Sequence, residues 1–353
     1  MSYKEEIEIG GRMLSIEVGK VAKQADGAAW VRYGDSIIMA AATSAQEPMA
    51  GDFLPLMVDY REKMFAAGKI PGGYFKREGR PSEPEILCAR QIDRPIRPLF
   101  PKDYHHDTQV MVVVLSADGL NPPDVIGAIA ASAALHVSDI PFDGPIAAVR
   151  VGMIEGDYIL NPNVTDMEKS QLELIVAGTL DSITMVEGSS KELSEDEIIN
   201  AIEFAHKAIR QIVELQNRVR QAVGRPKREH AKTVIPAELE EAVRSRAAEP
   251  LKGVCRESDK EARRTLKHAI EDQIQTELAE QFPESKAMIE EVFDAIYTAR
   301  VREMVLHEGR RLDNRGYDEI RPISIETGVL PRSHGSALFT RGQTQALATT
   351  TLG

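Results

Sequence analysis

An internal repeat is the sequence feature that most constrains how this 353-residue chain can fold. The motif Ser-Ile-Glu-x-Gly at 15–19 recurs at 324–328, an offset of 309. One residue is then dropped, and at an offset of 308 Val21, Gly27, Ala29, Gly34, Ala40 and Thr43 match Val329, Gly335, Ala337, Gly342, Ala348 and Thr351. About two identities would be expected over this stretch from ordinary composition, and ten occur. We interpret the match as a duplicated domain.

The two copies differ greatly in length. The first occupies about 225 residues, whereas the second has about 45 before Gly353. The chain stops in an apolar run, Leu347–Leu352, which we expect to form a buried strand. Because a domain cannot bury a core with a fifth of its length, we predict that the chain is the N-terminal part of a longer protein. The alternative is that the tail forms a short hairpin, alone or on the first domain.

Residues 1–225 have the pattern of an α/β domain. Alternating apolar residues flank glycine turns at 10–11 and 34–35, which predicts two β-hairpins. Further strands are predicted at 53–60, 109–115, 149–159 and 172–178. Helices are predicted at 83–92, 123–136 and 195–223, the first capped by Ser82 with Glu85 and the third by Ser194 with Glu197.

The pattern becomes helical after a polar, basic linker at 226–235. No strand signal is present from 236 to 308, and Ser258 with Glu261 predicts a capping box. Leu266, Ile270, Ile274 and Leu278 form an apolar stripe with a spacing of four residues. We predict a small all-α domain at 236–308, followed at 309–353 by the truncated start of the second copy.

Composition excludes several classes of protein. The net charge of −12 argues against a surface coated with basic residues, and no apolar run approaches the roughly 20 residues that span a bilayer. The first residues do not resemble a signal peptide. Two cysteines, Cys88 and Cys255, cannot form a disulfide framework or a cysteine zinc site. We expect a cytoplasmic protein that does not contact membranes.

Positive charge is concentrated at 61–102, a window that contains ten Lys and Arg residues and five acidic residues. Within this window, the glycine-rich segment 68–81 carries the adjacent aromatics Tyr74 and Phe75 and the cations Lys76, Arg77 and Arg80. Aromatic rings stack on bases and cations neutralise phosphates, so the segment fits single-stranded nucleic acid. The alternative is a solvated charged loop with a tucked-in aromatic pair. The segment is no P-loop, because an isoleucine follows Lys69 where Ser or Thr is required.

A second cationic group, Arg90, Arg94 and Arg97, lies within the motif Arg-Gln-Ile-Asp-Arg-Pro-Ile-Arg-Pro. Guanidinium groups suit bidentate phosphate recognition. The alternative is structural, with these arginines paired to Asp93 and Glu85. Pro95 disfavours helix at Arg94, which leaves open whether Arg90 and Arg94 share a face.

Other polar clusters favour structural roles. The run His105-His106-Asp107 could suggest a metal site, but adjacent residues rarely converge on one ion, so we expect a solvated loop. Asp118, Asn121 and Asp124 flank a predicted helix start, and we expect them to cap it. No nucleophile has a recognisable general base.

Three stretches together closely resemble the polynucleotide phosphorylase family, the polyribonucleotide nucleotidyltransferases of bacteria and organelles. They are AGKIPGGYFKREGRP at 67–81, SEPEILCARQIDRPIRPLFP at 82–101 and GRRLDNRGYDEIRP at 309–322. The resemblance covers the whole chain. It implies a ribonuclease PH-like α/β domain (ribosomal protein S5 domain 2-like), then an all-α domain, then a second ribonuclease PH-like copy.

The resemblance also implies an activity. Inorganic phosphate attacks the last phosphodiester at the 3′ end of RNA and releases a nucleoside 5′-diphosphate, in a reversible reaction that serves mRNA degradation. Such proteins use Mg²⁺ or Mn²⁺, form homotrimeric rings around a channel for single-stranded RNA, and can join RNA degradosome components. The family's channel loop has two aromatic and two basic residues, which fall here on Tyr74, Phe75, Lys76 and Arg77. The family usually has Phe at the first position and Arg at the third.

The family's catalytic centre lies in its second copy. Two aspartates six residues apart and a lysine precede a Val-Ala-Gly segment there. The matching segment of the first copy is Val176–Gly178, which places those positions at Met167, Glu173 and Ile175. One carboxylate without its partners cannot hold a metal and activate phosphate. The resemblance therefore implies that this chain guides RNA and has no catalytic or metal-binding residues.

The sequence leaves two alternative functions open. One is a non-catalytic RNA-binding ring scaffold that is complete at Gly353. The other is a small-molecule phosphotransferase, which would need a glycine-rich phosphate loop that opens a helix, and the sequence shows none.

Overall fold

The computed structural model describes residues 2–49, 51, 53–230 and 234–353. The chain divides into two compact units, residues 1–232 and 233–353. The predicted linker at 226–235 includes residues 231–233, which lie outside the described residues. The domain limits 1–225, 236–308 and 309–353 stay predictions.

The first unit contains a six-stranded sheet with the order β1-β2-β3-β4-β6-β5. Its strands are antiparallel except β5, which runs parallel to β6. Gly10, Gly11 and Gly34 adopt positive φ in the β1–β2 and β3–β4 turns, which confirms both predicted hairpins. The strands are β1 (Tyr3–Ile9), β2 (Arg12–Val18), β3 (Gly27–Tyr33), β4 (Ser36–Pro48), β5 (Leu56–Glu62) and β6 (His106–Ser116).

A four-stranded antiparallel sheet, in the order β10-β9-β7-β8, completes the unit together with four helices. The strands are β7 (Ala147–Ile154), β8 (Asp157–Leu160), β9 (Leu172–Gly178) and β10 (Ile183–Ser190). The helices are α1 (Glu83–Ile96), α2 (Pro123–Val137), α3 (Val164–Met167) and α4 (Glu195–Val223). These mixed sheets and helices confirm the predicted α/β class.

Helix α2 forms the centre of the unit. It packs on β3, β4 and β6 of one sheet and on β7 of the other, and every residue from Val125 to Val137 is buried. A helix that is apolar all round can be stable only when it is covered on all sides. Its alanines permit close approach: a Cβ on Gly27 of β3 would lie 2.1 Å from the carbonyl oxygen of Ala134.

Helix α1 extends further than predicted. The Ser82–Glu85 capping box is present, but the helix continues to Ile96 instead of ending near Ile92. Pro95 removes one backbone hydrogen bond but lies in the last turn, so the helix still reaches Ile96, and the N–H of Arg97 closes that turn on the carbonyl of Asp93. Arg90 and Arg94 therefore lie one turn apart on one helix.

Two other local predictions were wrong, the second of them in part. The strand predicted at 149–159 is the hairpin β7–β8, because Glu155 and Gly156 both adopt positive φ and turn the chain. Helix α2 begins at Pro123, and its N-cap residue Pro122 provides no side-chain cap. The capping prediction holds for Asp124, whose Oδ1 accepts the N–H of Val125 in the first turn. It was wrong for Asp118 and Asn121, because Asp118 accepts the N–H groups of Leu120 and Asn121 in the loop before the helix.

The second unit contains three long helices within its described residues, which confirms the predicted helical character of this stretch. They are α5 (Ala237–Arg256), α6 (Lys260–Leu278) and α7 (Lys286–Glu308), which bury Leu239, Leu278 and Phe293 in a common core. The cap of α6 is Asp259, not Ser258, because the Asp259 carboxylate accepts the N–H groups of Glu261 and Ala262. Gly309 adopts a left-handed conformation at the end of α7.

The tail of this unit is a three-stranded sheet of β11 (Ile323–Thr327), β12 (Gly335–Arg341) and β13 (Thr344–Thr350). Its register repeats that of the first copy: Ala337 pairs with Ala348 as Ala29 pairs with Ala40. The prediction that this run is buried was wrong, because β13 is exposed along its whole length. No layer covers β13 within the described part of the chain.

We predict that Gly27→Ala lowers the free energy of unfolding by about 1–3 kcal/mol, because the added methyl group forces β3 away from α2. Urea denaturation followed by circular dichroism measures the change. Gly72→Ala is the control, since a Cβ there has no atom within 4 Å. Equal stability of the two variants would contradict the close packing of β3 on α2.

Candidate nucleic-acid interface

A groove follows helix α1 along the surface of the first unit. It consists of three adjoining clefts that share lining residues, Glu85 joining the first two and Arg90 and Asp93 joining the last two. Strand β5 contributes Asp59 and Tyr60 to the middle cleft. The first cleft has a volume of about 570 Å³ and lies at the base of the glycine-rich loop 63–81.

The aromatic pair of the loop is open to solvent. Tyr74 is 92% exposed and Phe75 is 79% exposed. Their ring centroids lie 5.4 Å apart with an interplanar angle of 81°, an edge-to-face contact that leaves ring faces free. The alternative of a tucked-in pair is therefore wrong. The backbone of Lys76 has a φ of 50°, and Gly73 also has positive φ, so the chain bends sharply around the two rings.

The predicted cations fall into two groups by their partners. Within the described residues, no hydrogen bond or ion pair involves the side chains of Lys76, Arg77, Arg80 and Arg90, and all four are exposed. An exposed cation without an acidic partner is free to meet a phosphate.

The other two arginines are engaged. Arg94 lies 3.1 Å from Glu187 of β10, and both side chains are half exposed. Arg97 binds both carboxylate oxygens of Asp93 and also donates to the carbonyls of Leu54 and Leu56. Its hydrogen bond to Asp93 raises the pKa of Arg97. The structural alternative thus holds for Arg97, whereas Glu85 lies near Arg61 instead of near these arginines.

Five of the eight predicted RNA-binding residues line the groove, and three do not. Arg77 and Arg80 line the first cleft, and Arg90, Arg94 and Arg97 line the third. Tyr74, Phe75 and Lys76 line none of the three clefts. Sequence reasoning missed three further cations of the first cleft, although the charge excess at 61–102 was the signal for them: Arg61, Lys63 and Lys69.

The positions that match the family's catalytic residues do not form a metal site. Met167 ends α3, Ile175 is a buried apolar residue of β9, and Glu173 is paired with Arg150. Arg150 is buried on β7 and also binds Asp124 at the start of α2. Because a guanidinium already neutralises both carboxylates, these residues do not fit a divalent cation. Across the described residues, no cluster of three or more His, Cys, Asp or Glu side chains could hold a metal.

The remaining polar clusters have structural roles. The solvated loop expected at 105–107 was wrong in part, because His106 and Asp107 begin strand β6. Asp118 accepts the N–H groups of Asp35, Leu120 and Asn121. Burial raises its pKa, but these hydrogen bonds outweigh burial and bring the pKa to about 2. His106 hydrogen-bonds through Nδ1 to the carbonyl of Ala45 and stacks on Tyr104, whereas His105 contacts the carbonyl of Lys102. In the described structure, neither histidine belongs to a group of three or more side chains that could hold a metal ion.

Comparison with known protein families covers most of the chain. The model described as 3′ exoribonuclease family, domain 1, matches residues 10–141 and 319–353, the two segments that carry the repeat. Domain 2 of the same family matches 144–208. The model described as polyribonucleotide nucleotidyltransferase, RNA binding domain, matches 238–316.

The chain belongs to the polyribonucleotide nucleotidyltransferase family. The polyribonucleotide nucleotidyltransferase of Heliobacterium modesticaldum is 48% identical over 98% of this chain and 49% of its own length. Those of Chlorobium chlorochromatii and Thermus thermophilus are 46% and 45% identical over the whole chain, and over 51% and 50% of their own lengths. The chain spans about half the length of the curated relatives it matches.

The family models establish the fold as ribonuclease PH-like, as the sequence resemblance implied. Among solved structures, rice Rrp46 is similar at 18% identity and a TM-score of 0.48, over 59% of this chain and 94% of that one. None of the described helices has the length and hydropathy of a membrane span.

The buried Arg150 gives a prediction about stability. We expect Arg150→Met to lower the free energy of unfolding by about 3–5 kcal/mol, because it leaves the buried carboxylate of Asp124 without its cation, whereas Glu173 is half exposed and can be solvated. Arg94→Met is the control: it breaks a half-exposed ion pair and should cost less than about 1 kcal/mol. Thermal and urea unfolding measure both variants. A cost for Arg150→Met as small as that of the control would show that the cation is not needed there.

Proposed function

We propose that this chain is the RNA-guiding half of a phosphorolytic 3′-to-5′ exoribonuclease that acts in mRNA degradation. In the parent reaction, inorganic phosphate attacks the terminal phosphodiester of RNA, and a nucleoside 5′-diphosphate leaves. Family membership and the half-length match to the relatives support this proposal.

One observation carries the RNA-guiding role. Tyr74 and Phe75 are exposed on a loop whose neighbouring cations, Lys76, Arg77 and Arg80, have no acidic partner in the described structure. Exposed rings are unfavourable in water unless a ligand covers them, and bases stack on rings regardless of sequence. The free cations beside them meet the phosphates of the same strand. Lys76 provides charge without the bidentate geometry of arginine.

The groove along α1 gives the strand a path. Arg77 and Arg80 line its first cleft, and Arg90 and Arg94 line its third. Cations at both ends of one groove can hold two phosphates of the same backbone, whereas one isolated pocket would bind a single phosphate. We propose that RNA passes from the aromatic pair into this groove. Arg97, held by Asp93, supports the end of the groove and contacts phosphate weakly.

The chemical step is assigned elsewhere. Residues 167, 173 and 175 do not fit a metal ion, so we assign them no role in catalysis. We propose that Mg²⁺ (or Mn²⁺) and the attacking phosphate bind outside this chain, and that homotrimer formation arranges three aromatic loops around one channel. Cytoplasmic location and contact with RNA degradosome components complete the proposal.

RNA binding by the chain tests the guiding role. We expect Tyr74→Ala and Phe75→Ala each to weaken binding of a fluorescent 20-nucleotide oligo(A) about 5- to 140-fold, the equivalent of about 1–3 kcal/mol per stacked base. Phe53→Ala, at an exposed phenylalanine outside the loop, is the control. Fluorescence anisotropy measures the affinities. Equal affinity for single strands and duplexes, unaffected by either loop substitution, would refute the proposal.

Salt dependence separates charge from stacking. We expect Arg77→Ala to reduce the slope of log affinity against log salt concentration by about 0.7–1, because one phosphate contact is lost. Arg32→Ala, which removes a cation paired with Asp35, should leave the slope unchanged. The same titrations should show no slope change for Phe75→Ala. An unchanged slope for Arg77→Ala would remove that residue from the interface.

Product analysis tests the division of labour. We expect the 353-residue chain, incubated with poly(A), phosphate and Mg²⁺, to release no nucleoside diphosphate, because residues 167, 173 and 175 cannot hold a metal. Thin-layer chromatography of labelled products measures the release. Diphosphate release that Glu173→Gln abolishes would place the catalytic centre in this chain and contradict the proposal.

A further inference from the structure

One carboxylate joins the two ends of the glycine-rich loop. Oε1 of Glu85 accepts the N–H of Glu62 at 2.8 Å, where β5 ends. Oε2 accepts the N–H of Ser82 at 2.6 Å and its hydroxyl at 2.8 Å, where α1 begins. The bonds to Ser82 form an ordinary capping box, but the bond to Glu62 does not belong to one. Glu85 therefore closes a loop of about twenty residues at its base.

The carboxylate is held in its ionised form. Burial raises the pKa of Glu85, but the N–H groups of Ser82 and Glu62 outweigh burial, so the pKa is lowered. The side chain is 12% exposed, and Nε of Arg61 lies 3.9 Å away. Both oxygens accept hydrogen bonds from different ends of the loop. An amide in place of the carboxylate has one acceptor oxygen and can satisfy only one end.

Three further contacts stiffen the base. Glu78 accepts the N–H of Met64 and pairs with Lys63 at 3.3 Å, and Arg61 donates to the carbonyl of Gly79 at 2.7 Å. Beyond these contacts, no hydrogen bond or ion pair ties residues 70–77 to the rest of the described chain. Hydrogen bonds and ion pairs therefore hold the base of the loop, and the tip that carries Tyr74 and Phe75 is positioned only through that base.

We propose that Glu85 is a positioning residue for RNA binding: by joining Glu62 to Ser82, it fixes where the loop tip presents its rings beside the groove. The inference rests on the proposed RNA-guiding function. Glu85 itself contacts no RNA phosphate, since a carboxylate repels one. Its effect is transmitted through the loop base, which limits the positions that the tip can sample before RNA binds.

Limited proteolysis without RNA tests whether Glu85 holds the two ends of the loop together. Trypsin cleaves after Lys69, Lys76 and Arg77 in the tip, and mass spectrometry locates the cuts. We expect cleavage of Glu85→Gln and Glu85→Asp to be at least several-fold faster than that of the unaltered chain, because each variant releases one end of the loop. Glu83→Gln is the matched control, an exposed glutamate in the same first helical turn. Equal cleavage of all four proteins would overturn the inference.

RNA affinity then tests the positioning role. We expect Glu85→Gln to weaken oligo(A) binding several-fold with an unchanged salt slope, whereas Arg77→Ala lowers the slope. A variant with a generally destabilised fold would have a lower melting temperature and would be cleaved faster at sites throughout the chain, not only in the loop. The melting temperature of Glu85→Gln is therefore compared with that of Glu83→Gln. If Glu85→Gln binds oligo(A) with unchanged affinity while Tyr74→Ala binds it more weakly, the positioning role of Glu85 is refuted but the RNA-guiding function is not. Unchanged affinity of Tyr74→Ala would instead overturn the proposed function.

Discussion

The structure of the first unit depends on the burial of α2 from every side. A helix without a polar face cannot be stable at a surface, so both sheets must contact it. Its alanines and Gly27 let β3 approach closely, and β7 covers the helix from the other sheet. This arrangement leaves α1 at the rim, where it packs on β5 and exposes one side to solvent. The groove exists because α1 packs on the edge strand β5 and is not buried between the two sheets as α2 is.

Electrostatics then separates structural from functional cations. Arg150 pairs with Asp124 and Glu173, and Arg97 binds Asp93 and the carbonyls of Leu54 and Leu56, so both arginines stabilise the fold. Arg77, Arg80 and Arg90 have no such partners in the described structure and remain available to an anion. A chain with a net charge of −12 can therefore still present a positive groove. What matters for RNA is the number of unpaired cations in one place, not the total charge.

Local signals in the sequence predicted much of this structure. Glycines with positive φ marked the hairpins, and Ser194 with Glu197 marked the start of α4, because these motifs act over three or four residues. The errors arose where tertiary packing decides. Helix α1 continues through Pro95, which is buried against the rest of the unit. The cation that pairs with Glu173 is Arg150, on a strand 23 residues away in the sequence. Exposure of Tyr74 and Phe75 was likewise undecidable from spacing, since a loop can fold its rings inward or outward.

The repeat shows how far such local information reaches. Ala29 and Ala40 pair across β3 and β4, and Ala337 and Ala348 pair in the same register across β12 and β13. The first pair is fully buried under α2, whereas β13 is exposed throughout. The same residues at the same spacing thus specify strand pairing in both places. Burial requires a covering helix, which the repeated segment does not contain, so pairing and packing are encoded by different parts of the chain.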